Sequence, residues 1–253
     1  MTLIKIAKLK KKVLITGGGR GLGYTMAEKF VNNGCYVMII GRDSETLERA
    51  TKKIGRNCYS MVCDLSDLKE IPVVVDRINN KMGGIDILIN NAGIHLKKDL
   101  LDVTDDEFQN IIQINQNSVF SISRDVAKLM VQQKSGVILN ISSMASQYGI
   151  PKVIAYSAAK SAIEGMTRAM AVELTPLGIR VNCIAPGFIK TDMSSKALDN
   201  DPERKAKVLG RTPMGRLGLP EEVANVAWFL CSDQASFVTG VTLPVDGGNS
   251  ISF

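Results

Sequence analysis

The chain alternates short aliphatic runs with longer segments of helical period, and this alternation restricts its fold more than any other feature. Seven runs have strand character: residues 13–16, 35–40, 58–63, 86–90, 136–142, 179–184 and 241–245. Apolar residues recur at helical spacing between them, in residues 24–31, 45–54, 68–81, 105–133, 155–174 and 221–230. Strands that alternate with helices require right-handed crossovers, so the pattern predicts an α/β fold with a parallel sheet covered by helices on both faces.

The chain length is compatible with one domain that spans residues 1–253. Single α/β domains reach this size, and the 45% of apolar residues is enough for a large core. One polar segment, residues 188–218, interrupts the pattern after the sixth predicted strand. We expect this insertion to form a substrate loop or lid over the carboxyl ends of the strands.

The net charge of +6 arises in part from a lysine-rich stretch, residues 1–11. We interpret this stretch as a solvated basic arm, because a lysine run before a first strand usually has that role. Nucleic-acid binding is not expected, since no basic stripe with interleaved aromatic residues follows. The chain also lacks an apolar run of about 18 residues, so no membrane span is expected.

The five cysteines form no CxxC pair, which is typical of small buried residues in a reducing compartment. We therefore expect a cytoplasmic protein. His95 is the only histidine. A histidine-rich metal site or a Ser-His-Asp triad would have little to work with, so no metal site is predicted.

A glycine-rich stretch, TGGGRGLG at residues 16–23, lies between the first predicted strand and the first helix. Glycines allow a tight turn and a close approach to a pyrophosphate, and the following helix offers free amides and a positive dipole end. No lysine-serine pair follows, which disfavours a phosphate-transferring P-loop. The stretch therefore predicts a dinucleotide site.

The end of the second strand, CYVMIIGRD, favours NADP(H) over NAD(H). An acidic residue normally binds the 2′-hydroxyl of NAD at this point, and Gly41 stands there instead. Arg42 follows, and Arg20 lies in the glycine-rich stretch; arginine pairs bidentately with phosphate. Asp43 keeps the alternative open, because its carboxylate would favour NAD(H) if it faced the ribose.

Tyr156 and Lys160 lie four positions apart at the start of a predicted helix, on one face. A phenol beside an ammonium is an acid-base device if a cofactor and a carbonyl are nearby. The alternative is a tyrosine at the edge of the core and a solvated lysine.

Six motifs in order resemble the classical short-chain dehydrogenase/reductase family. They are TGGGRGLG (16–23), NNAG (90–93), Asn115, Ser143, the Tyr156–Lys160 pair and PGFIKT (186–191), in a match that covers about residues 12–248. The resemblance implies a Rossmann-like doubly wound sheet of seven strands, a homotetramer, and a catalytic group of Asn115, Ser143, Tyr156 and Lys160. Ser142 competes with Ser143; the family places its serine thirteen positions before the tyrosine, which selects Ser143.

The resemblance also implies the role of each catalytic residue. Lys160 binds the nicotinamide ribose, and its charge is expected to lower the pKa of Tyr156 from about 10. Tyr156 then exchanges a proton with the substrate oxygen, and Ser143 stabilises charge on that oxygen. Asn115 is implied to hold a water that links Lys160 to solvent.

The same resemblance assigns cofactor and substrate contacts. Asp64 and Leu65 would flank the adenine, and Ile189 and Thr191 would fix the carboxamide. The whole implied cofactor set is Gly17, Gly19, Arg20, Gly21, Leu22, Gly23, Arg42, Asp64, Leu65, Asn91, Gly93, Tyr156, Lys160, Ile189 and Thr191. The predicted substrate walls are His95, Met144, Gln147, Phe188 and Met193. A purely structural role stays open for two residues of these motifs: Asp64 could cap a turn, and Asn90 could only tie strands together.

Two subgroups of the family leave the substrate open. PGFIKTDM and GRLGLPEEVANVAWFLCSD resemble 3-oxoacyl-acyl-carrier-protein reductases, whereas VTLPVDGG and YGIPKVIAYSAAK resemble gluconate 5-dehydrogenases. Leu177 replaces the arginine that carrier-protein reductases tend to present to their acidic carrier, although Lys134 keeps a positive charge at the other docking region. The expected substrate is a 3-oxoacyl thioester or a keto sugar acid. A catalytically idle NADP-binding sensor or scaffold is the alternative class, and its mark would be an incomplete catalytic group.

Overall fold

A computed structural model describes residues 10–191 and 201–252 of the chain. Within them lie seven strands: β1 (Lys12–Thr16), β2 (Tyr36–Gly41), β3 (Cys58–Val62), β4 (Ile87–Asn90), β5 (Gly136–Ile141), β6 (Ile179–Pro186) and β7 (Thr242–Val245). The same residues form eight α-helices: α1 (Gly21–Asn32), α2 (Ser44–Ile54), α3 (Glu70–Met82), α4 (Asp105–Ile112), α5 (Ser118–Gln133), α6 (Ile154–Leu174), α7 (Pro202–Arg211) and α8 (Pro220–Cys231).

The strands form one parallel sheet in the order β3-β2-β1-β4-β5-β6-β7. Each of the seven predicted strands is present, so the α/β, doubly wound, Rossmann-like fold is confirmed. The central strands are aliphatic and buried along most of their length, as strands covered on both faces must be.

Helices cover both faces of the sheet. Side chains of α1, α2 and α8 pack on one face, around Phe30 and Leu47, and those of α3, α5 and α6 pack on the other, around Ile78 and Val126. The chain therefore changes direction along the sheet between β1 and β4. In open sheets of this type the crevice at that point, outside the carboxyl ends of the strands, is where ligands bind.

Two helical features differ from the prediction. The single helix expected over residues 105–133 is divided by a π-helical turn, Gln113–Asn117, a feature that is frequent at functional sites. The polar insertion contains α7, which the sequence pattern did not predict. The Asp201 side chain accepts a hydrogen bond from the Arg204 backbone N–H (3.0 Å), and Pro202 occupies the first turn, so this helix has ordinary start signals.

The described part of the 188–218 insertion is tied at its base. Ile189 pairs with Gly218, and the Lys190 N–H donates to the Gly218 carbonyl at 2.8 Å. Met193, predicted as a substrate wall, and residues 1–9 of the predicted basic arm lie outside the described residues. All five cysteines are buried and unpaired, as expected. None of the helices in residues 10–191 and 201–252 is long and apolar enough to cross a membrane.

Candidate active site

The glycine-rich turn that follows β1 is packed so closely that side chains do not fit at two of its positions. Gly17 has a φ of +65°, and a Cβ there would lie 3.0 Å from the Ala92 Cα. A Cβ on Gly23 would lie 2.3 Å from the Gly17 carbonyl oxygen. These glycines therefore bring the start of α1 directly against the ends of β1 and β4.

The amino end of α1 fits a bound anion. Arg20 precedes the helix without a capping side-chain hydrogen bond, and the first turn has no acidic residue. The amides of that turn, together with the helix dipole, can therefore bind a phosphate. Asn91, expected along the ribose, donates its side-chain N–H to the Thr16 carbonyl (3.0 Å), so it also fixes the turn.

The ends of β2 and β3 form the predicted ribose and adenine region. Asp43 caps α2, where its carboxylate accepts a hydrogen bond from the Thr46 N–H at 2.8 Å, and this bond lowers its pKa. Asp64 caps a turn by accepting from the Ser66 N–H (2.9 Å), and its pKa is lowered first by that bond and also by the Arg42 charge. The turn-capping role that the sequence left open for Asp64 is therefore present, and Arg42 lies near it.

Lys160 is 4% exposed at the centre of the crevice. Its ammonium donates a hydrogen bond to the Ile141 carbonyl (2.7 Å) and lies 5.7 Å from the centroid of the Tyr156 ring. Burial disfavours the charged form and lowers the pKa of Lys160 from 10.5 to about 8. Tyr156 and Lys160 thus share one helix face, and the solvated-lysine alternative is wrong.

The pKa of Tyr156 moves in the opposite direction from the one expected. Burial raises it, and the nearby Ser143 hydroxyl only partly opposes that effect. The prediction rests on the charge of Lys160, whereas burial is the dominant cause in the structure. Tyr156 is therefore protonated at neutral pH, which suits a proton donor.

Asn115 lies in the π-helical turn and is fully buried. Its side chain accepts a hydrogen bond from the Ile94 N–H and donates one to the Ile94 carbonyl, both at 2.8 Å. A Cβ on Gly93 would lie 3.2 Å from the Asn115 Oδ1 and 3.7 Å from the Lys160 Nζ. Asn115 therefore holds the segment after β4 next to Lys160, and it keeps one amide N–H for a further partner.

The structure separates the two neighbouring serines that compete for one role. The Ser142 hydroxyl is buried, with its single proton shared between two acceptors, the Glu164 carboxylate (2.9 Å) and the Lys160 carbonyl (3.1 Å). Ser146 hydrogen-bonds to the same carboxylate. Ser143 instead lies near Tyr156, where it acts to lower the tyrosine pKa, and its Oγ accepts a hydrogen bond from the Ala145 N–H at 3.1 Å. Only Ser143 is placed to meet a substrate oxygen.

We expect the two serines to respond differently to alanine. Ser143→Ala removes a donor to the reacting oxygen and is expected to lower kcat about 10²-fold with little change in stability. Ser142→Ala leaves Glu164 short of one partner and is expected to cost about 1–3 kcal/mol of stability. Steady-state kinetics measure kcat, and urea unfolding measures the free energy of unfolding, for both variants. A loss of kcat in Ser142→Ala as large as that in Ser143→Ala would contradict the assignment.

The remaining predicted contacts divide between crevice and core. The His95 ring lies against the Tyr156 ring, with 4.9 Å between centroids. Phe188 is half-buried, and Gln147 is exposed in the loop that follows Ser143. Leu65, Met144 and Ile189 are buried, with Leu65 and Ile189 inside the two main apolar clusters.

Asn90 has the structural role of tying strands together. It donates hydrogen bonds to Ser123 and Asn140 (2.8 Å each) and joins β4 to α5 and β5.

Fold and site together define a dinucleotide-dependent oxidoreductase. A family model described as "Enoyl-(Acyl carrier protein) reductase" matches residues 17–250. A 3alpha-hydroxysteroid dehydrogenase of Mediterraneibacter gnavus is 40% identical over 246 residues, 94% of this chain and 97% of that protein. The 3-oxoacyl-[acyl-carrier-protein] reductase FabG of Chlamydia trachomatis is 37% identical over 95% of this chain and 97% of its own. The chain belongs to the short-chain dehydrogenase/reductase family of oxidoreductases, so the resemblance of its motifs is confirmed.

Solved structures agree with this assignment and differ in their ligands. A proposed gluconate dehydrogenase of Agrobacterium tumefaciens superposes with a TM-score of 0.93 at 34% identity, covering 96% of this chain and 97% of that one. A proposed NAD(P)-dependent gluconate 5-dehydrogenase of Beutenbergia cavernae contains NADP and superposes with a TM-score of 0.92 at 34% identity, over 97% and 99% of the two chains. A 3-ketoacyl-(acyl-carrier-protein) reductase of Brucella melitensis is complexed with NADH and has a TM-score of 0.89 at 35% identity, over 96% and 100%.

Proposed function

We propose that the protein is an NADP(H)-dependent reductase of a ketone, or in reverse a dehydrogenase of a secondary alcohol. The observation that carries this proposal is the arrangement in the crevice. The Lys160 ammonium lies 5.7 Å from the centroid of the Tyr156 ring, Ser143 is near enough to influence the Tyr156 pKa, and the glycine-rich turn opens on the same edge of the sheet. The four residues proposed as catalytic are all present, which argues against an idle cofactor-binding protein.

The residues of the chain have separate tasks in the proposed reaction. The amides at the start of α1 would hold the pyrophosphate, and Lys160 would hold the nicotinamide ribose. A bound nicotinamide would supply hydride to the carbonyl carbon or receive it in the reverse direction. Ser143 donates a hydrogen bond to the substrate oxygen as charge develops there. Tyr156 then donates its phenolic proton to that oxygen, and the ammonium of Lys160 stabilises the phenolate that remains.

The proposed preference for NADP(H) rests on charge at the end of β2. Gly41 provides no carboxylate for a 2′-hydroxyl, and Asp43 is engaged as the cap of α2. Arg20 and Arg42 are exposed on the two loops that border this end of the crevice. A 2′-phosphate would therefore meet two guanidinium groups, while the Asp43 carboxylate is bonded to the backbone of α2.

Replacing Arg42 by serine should lower kcat/KM for NADPH and leave the value for NADH unchanged. A charge-assisted hydrogen bond contributes about 1.5–3 kcal/mol, so we expect a loss of about 10- to 100-fold with NADPH. Arg49→Ser is the matched control, because Arg49 is an exposed arginine of α2 with its own partner, Thr46. A wild-type enzyme that uses NADH as well as or better than NADPH would overturn the preference.

The substrate class is proposed as a 3-oxoacyl thioester or a keto sugar acid. The relatives carry names that include oxoacyl-carrier, gluconate and hydroxysteroid enzymes, so similarity alone favours none of them. NADPH oxidation with a 3-oxoacyl thioester and with 5-ketogluconate, measured side by side with Tyr156→Phe as the blank, tests the proposal. Turnover of either above the blank supports it. Turnover of neither, with NADPH still bound, would contradict both proposed substrates, and an absence of turnover with a broad carbonyl panel would favour the idle sensor or scaffold.

The homotetramer that the resemblance implies is part of the proposal. Apolar side chains are exposed on α8, on the edge strand β7 and just before that strand, among them Phe229, Phe237 and Leu243. An apolar sheet edge of this kind is suited to an interface between copies of the chain.

A further inference from the structure

Helix α7 carries an arginine, Arg204, with one guanidinium nitrogen that has no partner among the described residues. Arg204 Nη1 is shielded from solvent and has no hydrogen-bond acceptor among residues 10–191 and 201–252. A buried N–H of a charged group without an acceptor is costly and uncommon in folded proteins. Such a group requires an explanation, and one explanation is an acceptor that a ligand brings.

Lysines of the segment after β4 and of the segment before α6 differ in their pairing. Lys98 is paired with Glu107 (2.8 Å), and Lys152 is paired with Asp99 (2.9 Å). Within residues 10–191 and 201–252, neither Lys97 nor Arg204 forms an ion pair with a carboxylate.

The two cations are within electrostatic range of the ring that lies beside Tyr156. The ring of His95 packs against the ring of Tyr156, with 4.9 Å between centroids and 49° between the planes. Burial lowers the pKa of His95, and the charges of Arg204 and Lys97 lower it further. His95 is consequently neutral at pH 7 and adds no charge of its own.

The other end of α7 is fixed to the loop that follows Ser143. The Arg211 guanidinium lies 4.2 Å from the centroid of the Tyr148 ring, and the Tyr148 hydroxyl donates to Asn249 Oδ1 at 2.5 Å. Asn249 in turn donates to Thr212 Oγ1 at 2.9 Å. These contacts hold the carboxyl end of α7 against the loop that follows Ser143, so the helix that carries Arg204 is attached at one end to the site.

We propose that Arg204, assisted by Lys97, binds a carboxylate of the substrate beside the ketone that Tyr156 protonates, so that the substrate is a keto acid or its hydroxy acid. This inference rests on the proposed reductase function and narrows it. Arginine binds carboxylates with two parallel N–H···O bonds, and an unpartnered Nη1 is suited to one of them. The phosphate of a carrier-bound thioester is separated from its ketone by the whole pantetheine arm, whereas these cations are within electrostatic range of His95, whose ring packs against Tyr156. A carboxylate close to the ketone therefore fits better.

The test compares acids with neutral analogues of the same shape. Acetoacetate, 4-oxopentanoate and 5-ketogluconate are assayed beside acetoacetamide, 4-oxopentanamide and L-sorbose, with wild type, Arg204→Met, Arg204→Lys and Lys98→Met. The quantity measured is the ratio of kcat/KM for each acid to that of its neutral partner. Lys98→Met is the matched control, because it removes a lysine whose charge is already paired.

For at least one pair, the wild type and Lys98→Met should prefer the acid by about 10- to 100-fold, and Arg204→Met should lose that preference through KM. Arg204→Lys should retain part of it, and KM for NADPH should stay constant. Equal use of acid and neutral ketone by the wild type would overturn the carboxylate site while leaving the reductase intact. If the Arg204 substitutions change only KM for NADPH, or only the kinetics with a 3-oxoacyl-coenzyme A, then Arg204 binds a phosphate. That result would also overturn the carboxylate site.

A binding measurement separates the two proposals if no ketone is reduced. Thermal unfolding is followed with NADP present, with and without each acid. Stabilisation of wild type but not of Arg204→Met supports the anion site although the reductase proposal has failed. Absence of stabilisation by all three acids, together with absence of turnover, overturns both.

Discussion

Tyr156→Phe is expected to lower kcat for ketone reduction by about 10²- to 10⁴-fold, the usual contribution of a positioned proton donor. The substitution removes one hydroxyl and keeps the ring that packs against His95. Binding of NADPH and the midpoint of unfolding should therefore change little. Steady-state kinetics, with NADPH binding followed by fluorescence, measure both halves of this expectation.

Tyr59→Phe is the matched control, because Tyr59 is 42% exposed on β3 and remote from the crevice. It should retain wild-type kcat. A Tyr156→Phe enzyme that keeps more than a tenth of the wild-type kcat would show that another group supplies the proton, and the assignment of Tyr156 would be lost.

The pH profiles of the wild type should differ between the two directions. Reduction uses the protonated phenol, whose pKa burial raises above 10, so Tyr156 itself does not limit reduction at neutral pH. Lys160 loses its charge near pH 8, and reduction should fall above that value as the phenolate loses its stabilising cation. Alcohol oxidation needs the deprotonated phenol, and its rate should rise with pH from pH 6 to 8. A reduction rate that increases from pH 7 to 9 would contradict this assignment.

The strands were predictable because each carries its own local signal. Runs such as residues 13–16 and 136–142 are aliphatic, short and bounded by turns, and in a parallel sheet both faces of such strands must be buried. The glycine-rich turn was predictable for the same reason, since its position between a strand and a helix is visible in the sequence. These features depend on neighbours along the chain, not on distant contacts.

The spacing of the family selects Ser143 over Ser142, and the hydrogen bond between Ser142 and Glu164 gives the physical reason. The features that the sequence did not predict depend mostly on contacts between distant residues. The direction of the Tyr156 pKa depends on how deeply the ring is buried, which the spacing to Lys160 does not reveal. Helix α7 is the exception, because an aspartate followed by proline, Asp201-Pro202, is a recognisable start that the polar composition concealed.

Lys160→Met is expected to abolish catalysis and yet make the protein more stable at pH 7. Burial shifts the pKa of Lys160 from 10.5 to about 8, which corresponds to about 3 kcal/mol at pH values where both folded and unfolded states carry the charge. Methionine has a similar length and no charge. The variant loses the hydrogen bond to the Ile141 carbonyl, and this loss offsets about 1–2 kcal/mol of the gain in unfolding free energy. We expect a net gain of about 1–2 kcal/mol at pH 7.

The pH dependence of that gain distinguishes a buried charge from ordinary repacking. Below pH 8 the full cost is present in the wild type. Between pH 8 and 10.5 the unfolded chain binds more protons at this site than the folded one, so wild-type stability rises with pH relative to the variant. Above 10.5 the cost has gone, and only the hydrogen bond separates the two proteins, in favour of the wild type. The difference in unfolding free energy, measured in urea at equal protein concentration from pH 7 to 10, should therefore shrink and then change sign. A difference that stays constant with pH would mean that Lys160 is not buried in its charged form. The idea that one buried charge both lowers stability and assists Tyr156 would then be wrong.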